Sequence, residues 1–359
     1  MNSPIVHVVG ARPNFMKAAP VIKACEERGL SQQLIHTGQH YDSSLSSVFF
    51  DQLSLPKPDI YLGVGSSPHG RQTGKAMSAL EEEFEASPPE ACIVYGDVNS
   101  TLAAALVCSK MQIPVAHVEA GLRSFDRTMP EEINRILTDA VSDLLLISSP
   151  EAYWNLGNEG IDLRRVEFIG NTMIDTLVLG LEYIDANPVT LPIAPPEAYV
   201  LITLHRPANV DDPDRLRAII EAIAKTAEHT PCIFPVHPRG RDAIDRVGGS
   251  SIPGLSILEP QGYLEFLTLQ RNAATVITDS GGIQEETTVL GIPCVTVRPN
   301  TERPITLSMG TNVLAEPSGL ADATSLALER ATAVSPTTPP LWDGQSGMRA
   351  AEAISRWVR

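Results

Sequence analysis

Short runs of apolar, β-favouring residues alternate with segments of helical period from one end of the chain to the other. In the first half the runs are "IVHVVG", "QLIHTG", "ACIVYGD", "PVAHVEAG" and "LLLISS"; in the second they are "YVLITLH", "CIFPVHP", "TVITDSGG" and "CVTV". Strands apolar on both faces, each followed by a helix, predict parallel sheets covered on both sides. The expected fold class is therefore α/β, with two doubly wound Rossmann-like domains facing a cleft. The seam is "YIDANPVTLPIAPPEAYV", where Pro188, Pro192, Pro195 and Pro196 exclude both helix and central strand. We expect an N-terminal domain over 1–182, a C-terminal domain over 183–340, and a terminal amphipathic helix within 341–359 that packs back on the first domain. In such a fold a ligand is met by loops at the carboxyl ends of strands.

Composition narrows the picture without changing it. The 359 residues suffice for about two domains, with 43% apolar and 19% charged residues. No apolar run approaches the roughly 18 residues that span a bilayer. The N-terminal "MNSPIVHVVG" lacks a basic n-region and reads as a first strand, so a cytoplasmic location is expected. Five cysteines stand singly, without CxxC spacing or histidine companions, which predicts buried thiols and no metal site. A net charge of −16 argues against nucleic acid or an anionic membrane as partner. An anionic small molecule remains open, because local cations outweigh a distant acidic surface screened over about 10 Å.

Candidate chemistry lies just after the strands. In "VVGARPNFMKAAPV", Arg12 and Lys17 flank a glycine turn at a helix start, an anion site or simply two surface cations. No GxGxxG or GxxxxGK[ST] loop occurs, which speaks against a dinucleotide dehydrogenase or a P-loop NTPase. Asp97 in "YGDVNSTL" and Glu119 in "AHVEAGLRS" end successive strands, and Glu131 and Glu132 open a helix in "MPEEINR". Each has a structural reading: Asp97 or Asn99 as a helix cap, Glu131 and Glu132 as complements to a helix dipole. Converging carboxylates also suit general acid/base chemistry, since crowding separates their pKa values. His205 and Arg206 end a strand in "LITLHRPAN", "FPVHPRGRD" repeats the pattern with His237, Arg239 and Arg241, and "TERP" adds Glu302 and Arg303. In "TDSGGIQEE", Ser280, Gly281 and Gly282 lead into a helix whose amides suit a pyrophosphate. Glu286, one turn further along the same face, suits ribose hydroxyls, while Glu285 points about 100° away and reads as structural.

These motifs, together with "GARPNFMKAAP", "HTGQHYD", "GNTMIDTL" and "EPQGYLEF", occur in an order that resembles the non-hydrolysing UDP-N-acetylglucosamine 2-epimerase family over nearly the whole chain. The resemblance implies the two-domain GT-B fold and inversion at C2 of a UDP-linked N-acetylglucosamine, giving UDP-N-acetylmannosamine. The route it implies is loss of the C2 proton, elimination of UDP to a 2-acetamidoglucal, and re-addition. It implies Asp97, Glu119 and Glu131 as catalytic carboxylates, with His205 among the catalytic groups. It assigns UDP-sugar binding to Arg12, Lys17, His205, Gln261, Phe266, Ser280, Gly281, Gly282, Glu286 and Arg303. No cofactor or metal is implied, and a homodimer is. Pro207 and Ala208 replace an Arg-Glu pair of the commonest bacterial form, and Tyr41 and Asp42 replace the Arg that follows its Gln-His, which puts activation by a second UDP-sugar in doubt. Relatives acting on a 2,3-diacetamido uronic acid sugar share several motifs. A hydrolysing epimerase, a GT-B glycosyltransferase and a non-catalytic nucleotide-sugar sensor are the competing readings.

Overall fold

The computed structural model describes residues 3–39, 57–236, 238–330 and 338–358; the side chains of Arg12, Pro238 and Arg239 lie outside the description. The chain forms two compact units, Met1–Leu179 with Pro340–Arg359, and Gly180–Pro339. The division thus falls within the helix Thr172–Ala186, three residues before the start of the proline-rich seam.

In the first unit, strands β1 (Ile5–Val9), β2 (Gln32–His36), β3 (Ile60–Tyr61), β4 (Ala91–Tyr95), β5 (Val115–Ala120), β6 (Leu144–Ile147) and β7 (Val166–Phe168) form a sheet of order β3-β2-β1-β4-β5-β6-β7. Every pairing is parallel. The residues of β1, β4, β5 and β6 are buried throughout. Val6, Val8, Cys92 and Val94 pack with Leu80, Phe84 and Val107 from covering helices. Each such side chain contributes about 1.5–3 kcal/mol on burial, which explains why these runs are so apolar.

The second unit repeats the plan. Strands β8 (Val200–Thr203), β9 (Cys232–Pro235), β10 (Leu255–Leu258), β11 (Thr275–Thr278), β12 (Cys294–Thr296) and β13 (Asn312–Leu314) lie in the order β10-β9-β8-β11-β12-β13. All these pairings are also parallel. Strand order reverses between β1 and β4 in one sheet and between β8 and β11 in the other. At such a switch point adjacent loops diverge and leave a crevice beyond the strand ends.

The final helix, Ser346–Trp357, belongs to the first unit and packs on Arg12–Glu27. A Cβ on Gly347 would stand 2.5 Å from the Pro20 carbonyl oxygen, so only glycine allows this approach. Asp175 caps the helix, accepting from the Ser346 and Gly347 N–H groups at 3.0 and 2.7 Å. The buried Trp342 donates to the Ser148 carbonyl at 2.8 Å and fixes the approach to the helix. All five cysteines are buried free thiols. Among the described residues no helix is long and apolar enough to cross a membrane.

Candidate active site

The first unit's site grows from the ends of β1, β4 and β5. Gly10 follows β1 where a Cβ would lie 2.1 Å from Ser100 Oγ and 2.8 Å from Thr37 Oγ1, so glycine is required by the crossing of these segments. The N–H groups of Gly10 and Ala11 donate to Asn14 Oδ1 at 3.3 and 3.2 Å, and Asn14 in turn donates to the Tyr95 carbonyl at 2.7 Å. The start of the helix Arg12–Glu27 is therefore closed by a carboxamide. Lys17, one turn on, is buried and ion-paired with Glu119. Arg12 opens that helix, and its side chain lies outside the described residues, as do His237, Tyr41 and Asp42.

Asp97 does not cap the next helix. The cap position of Asn99–Met111 is Val98, without a side-chain bond, and the Asp97 carboxylate instead pairs with Arg135. Asn99, the other expected cap, donates to Gln72 Oε1 at 2.8 Å. Asn134 donates to the Asp97 carbonyl at 2.8 Å, so the helix Pro130–Val141 grips Asp97 through both its backbone and its side chain.

Glu119 is buried, and its φ of +72° is a left-handed conformation costly for any residue with a Cβ. It sits where the β5–β6 register shifts between Val118 and Ala120, so the strand bulges at the carboxylate. Gly96 completes the group: a Cβ there would lie 2.7 Å from Lys17 Nζ and 3.1 Å from Glu119 Oε2. Lys17, Gly96, Asp97 and Glu119 are thus brought together at one end of one sheet.

Glu131 is half-buried on the first turn of Pro130–Val141. Its neighbour Glu132 serves the loop more than the helix dipole. It accepts from the Ser124 and Phe125 N–H groups, both at 2.9 Å, and from Arg135 Nη2 at 2.6 Å. Burial alone would push the Glu132 carboxyl up, but these N–H donors and the Arg135 charge hold it below the usual carboxylate range.

In the second unit, Asp279 follows β11 and is fully buried. It accepts from the His205 N–H at 3.1 Å, the Arg206 N–H at 2.9 Å and Asn209 Nδ2 at 3.1 Å, and it lies 2.9 Å from His205 Nδ1. Burial would raise the Asp279 carboxyl, yet His205, Arg206 and Asn209 hold it below its ordinary value. The His205 side chain is 60% exposed, so the carboxylate orients a ring whose other face meets solvent.

Ser280 stands at the cap position of the helix Gly281–Leu290 with no side-chain cap bond and no acidic residue in the first turn. That end of the helix favours an anion. A Cβ on Gly281 would lie 2.4 Å from Arg303 Nη1 and 2.8 Å from Glu302 Oε1. Glycine here also makes room for a guanidinium, a requirement beside the expected clearing of backbone amides. Arg303 is held by Glu302 and, at 2.7 Å, by Glu285, which gives Glu285 its structural part. Glu302 also pairs with Arg298 at 2.7 Å and faces Arg206 at 3.7 Å. Glu286 is buried, with the Tyr263 hydroxyl 3.4 Å from its Oε1. Gln261 donates to the Glu259 carbonyl at 2.7 Å, and Phe266 packs on the apolar cluster around Tyr199 and Leu269. Beside His205 a cavity of 630 Å³ is lined by Leu204, Pro207, Asp211, Arg217 and Arg246, apart from the Ser280–Gly282 turn.

Residues 23–355 match the family model described as UDP-N-acetylglucosamine 2-epimerase. The chain belongs to that family. It is 43% identical over 319 residues to the UDP-N-acetylglucosamine 2-epimerase of Methanocaldococcus jannaschii, covering 86% of this chain and 87% of that one. It is also 43% identical over 316 residues to the UDP-2,3-diacetamido-2,3-dideoxy-D-glucuronate 2-epimerase of Pseudomonas aeruginosa, with 86% and 87% covered. The crystal structure of the Methanocaldococcus jannaschii UDP-GlcNAc 2-epimerase in complex with UDP-GlcNAc and UDP is similar at a TM-score of 0.90 and 38% identity. That match covers 98% of this chain and 99% of the other.

Within this epimerase-family chain, sequence reasoning missed Arg135, Asp139 and His117. Arg135 had a legible signal, the Glu132-x-x-Arg135 spacing that places both on one helix face. Asp139 and His117 had none, since their partners are distant in sequence. Asp139 Oδ1 lies 2.6 Å from His117 Nδ1, and Asp139 Oδ2 lies 2.8 Å from Arg123 Nη2. All three side chains are buried.

Proposed function

We propose that the protein interconverts UDP-N-acetylglucosamine and UDP-N-acetylmannosamine by inversion at C2, with elimination and re-addition of UDP. Supporting the reading most strongly is a pair of carboxylates, Asp97 and Glu119, at neighbouring strand ends, each tied to a cation, in a chain of this family. A C2 proton beside no carbonyl is weakly acidic. Its removal therefore needs a placed carboxylate base, while cations stabilise the departing diphosphate. We assign proton transfer to Asp97, Glu119 and Glu131 in the first unit. Inversion requires a donor on each face of the ring, which more than one carboxylate supplies.

In the second unit we assign the diphosphate to the Ser280–Gly282 helix start, with His205 and Arg303, and the ribose to Glu286. Gln261 and Phe266 complete that assignment, with Arg12 and Lys17 as further groups for the UDP-sugar. His205, oriented by Asp279, would protonate or hydrogen-bond the leaving diphosphate. We further propose a cytoplasmic homodimer whose product serves surface polysaccharide synthesis.

Incubation with UDP-N-acetylglucosamine in deuterated water, followed by proton NMR, tests the reading. A UDP-linked mannosamine product with deuterium at C2 is expected. Free N-acetylmannosamine would indicate a hydrolysing enzyme, and unchanged substrate would overturn the assignment for this sugar. The equal 43% identity to the Pseudomonas aeruginosa relative supports a second reading, epimerisation of a UDP-linked 2,3-diacetamido uronic acid. The same assay with that sugar decides between them by kcat/KM.

A further inference from the structure

The peptide joining Gly96 to Asp97 is held from within the sheet by a residue that the reading above leaves without a part. His117 lies on β5 two residues before Glu119 and is fully buried. Its Nδ1 stands 2.6 Å from Asp139 Oδ1, and its Nε2 stands 2.8 Å from the Gly96 carbonyl oxygen. A carboxylate and a carbonyl are both acceptors, so satisfying both bonds requires a hydrogen on each ring nitrogen.

Two other buried histidines of the same sheet make the contrast. His36 Nδ1 accepts the Gly38 N–H at 2.8 Å, and that nitrogen carries no hydrogen. His7 faces the Tyr95 hydroxyl at 2.6 Å, a group able to donate, and Gln32 Oε1 at 2.9 Å. Burial pushes both rings down to about 4. His117 instead has two acceptors against its ring, the Asp139 carboxylate and the Gly96 carbonyl. That carboxylate, on Asp139, also accepts the Gly121 N–H at 3.0 Å and pairs with Arg123. Burial raises the Asp139 carboxyl, but His117 and Arg123 together bring it below its ordinary value.

We infer that His117 is a positioning residue: a doubly protonated ring, anchored by Asp139, that fixes the Gly96–Asp97 peptide and through it the seats of Asp97 and Glu119. Gly96 adopts a φ of +61°, and its N–H donates to the Val118 carbonyl at 3.0 Å. Its Cα faces the Lys17–Glu119 pair so closely that no side chain fits between them. Rotation of the Gly96 carbonyl would move Asp97 and open that contact. The left-handed backbone of Glu119 persists only where its neighbours over-determine it, and the bond from His117 to Gly96 ties the two strand ends together.

The kinetic consequence rests on the epimerase reading, whereas the protonation of the ring does not. With histidine labelled by nitrogen-15, the ring signal lost in His117→Gln should show a proton on both nitrogens in the unsubstituted protein at neutral pH. A bare nitrogen on that ring would overturn the inference whatever the enzyme does. In turnover, His117→Leu is expected to lower kcat about 100-fold with KM within about 3-fold, the signature of displaced catalytic groups. His117→Gln, whose amide still donates to Gly96, should recover about 10-fold of that loss. Equal kcat for His117→Gln and His117→Leu would contradict the inference. Should His117→Leu fail to fold, the ring spectrum and the kcat of His117→Gln decide. Failure of the unsubstituted protein to exchange C2 hydrogen would sink the functional reading and leave the ring assignment to be judged on its own spectrum.

Discussion

The two sheets share a strand order through their switch points, yet the loops there carry opposite kinds of equipment. In the first unit the ends of β4 and β5 present carboxylates, Asp97 and Glu119, each restrained by a cation, Arg135 and Lys17. In the second, the ends of β8 and β11 present His205, Arg206 and a helix start, Arg303 follows β12, and there the carboxylates are the restraints: Asp279 orients His205, and Glu285 with Glu302 holds Arg303. The difference shows how one fold serves two tasks. The scaffold fixes where side chains emerge, and under the proposed function the sign of the group left facing outward suits one set of loops to proton transfer and the other to phosphate.

Four interventions separate the two halves of this comparison. The largest effect is expected for Asp97→Asn, which keeps the side chain's shape and removes its basicity. Turnover should fall by about 10³-fold, with the affinity for UDP, read by titration calorimetry, within about 2-fold. Loss of UDP affinity on the same scale would show that the first unit's acids bind as much as they react.

Next in size, Glu132→Gln removes one partner of a buried charge cluster, leaving Arg135 with the Asp97 carboxylate but without that of Glu132, and the Ser124–Phe125 turn without its anion. Denaturant unfolding should show a loss of about 3 kcal/mol, with kcat reduced because Arg135 no longer has a fixed seat. Unchanged stability would mean that water replaces the carboxylate, and the cluster would not be the support described.

Acid should act on the units in turn. His7 and His36, both in the first sheet, are held down to about 4 by burial against an ordinary 6.5. Between those values the unfolded chain binds protons that the folded one refuses, so stability falls as pH drops from about 6.5 to about 4. The slope is about 1.4 kcal/mol per pH unit for each ring. In the second unit the restraint is Asp279, whose depressed value gives stability that is complete above the ordinary carboxylate range and lost only on further acidification through the folded value. Amide protection in β1 and β2 should therefore decline at a milder pH than in β8 and β11. Simultaneous loss would break the comparison.

How far the sequence carried these expectations depends on sheet position. The nine strands read from apolar runs are the interior strands of both sheets. The four that were not read, β3, β7, β10 and β13, are the edges. Interior strands are buried on both faces and must be apolar. Edge strands here run two to four residues with partly exposed positions, so no run marks them. At the site, residues just after strands were legible because the fold places them. Their partners were not: Arg135 reaches Asp97 across 38 positions and Asp279 reaches His205 across 74, pairings that only tertiary structure creates. The helix-cap reading of Asp97 failed for the same reason, since a distant arginine outcompetes a local N–H for the carboxylate.

Smallest of the four, Glu286→Ala should raise KM by about 10-fold and leave kcat within about 2-fold, as expected for a group that binds ground and transition states alike. A fall in kcat without a change in KM would move Glu286 from ribose recognition into the chemistry.

Most direct of all is the comparison of solvent deuterium entering C2 of a UDP-linked sugar with the unsubstituted protein and with Asp97→Asn, both saturated with UDP-N-acetylglucosamine. The division of labour between the two units predicts rapid incorporation in the first and a loss of about 10³-fold in the second, with UDP still bound. Incorporation at similar rates in both would contradict it.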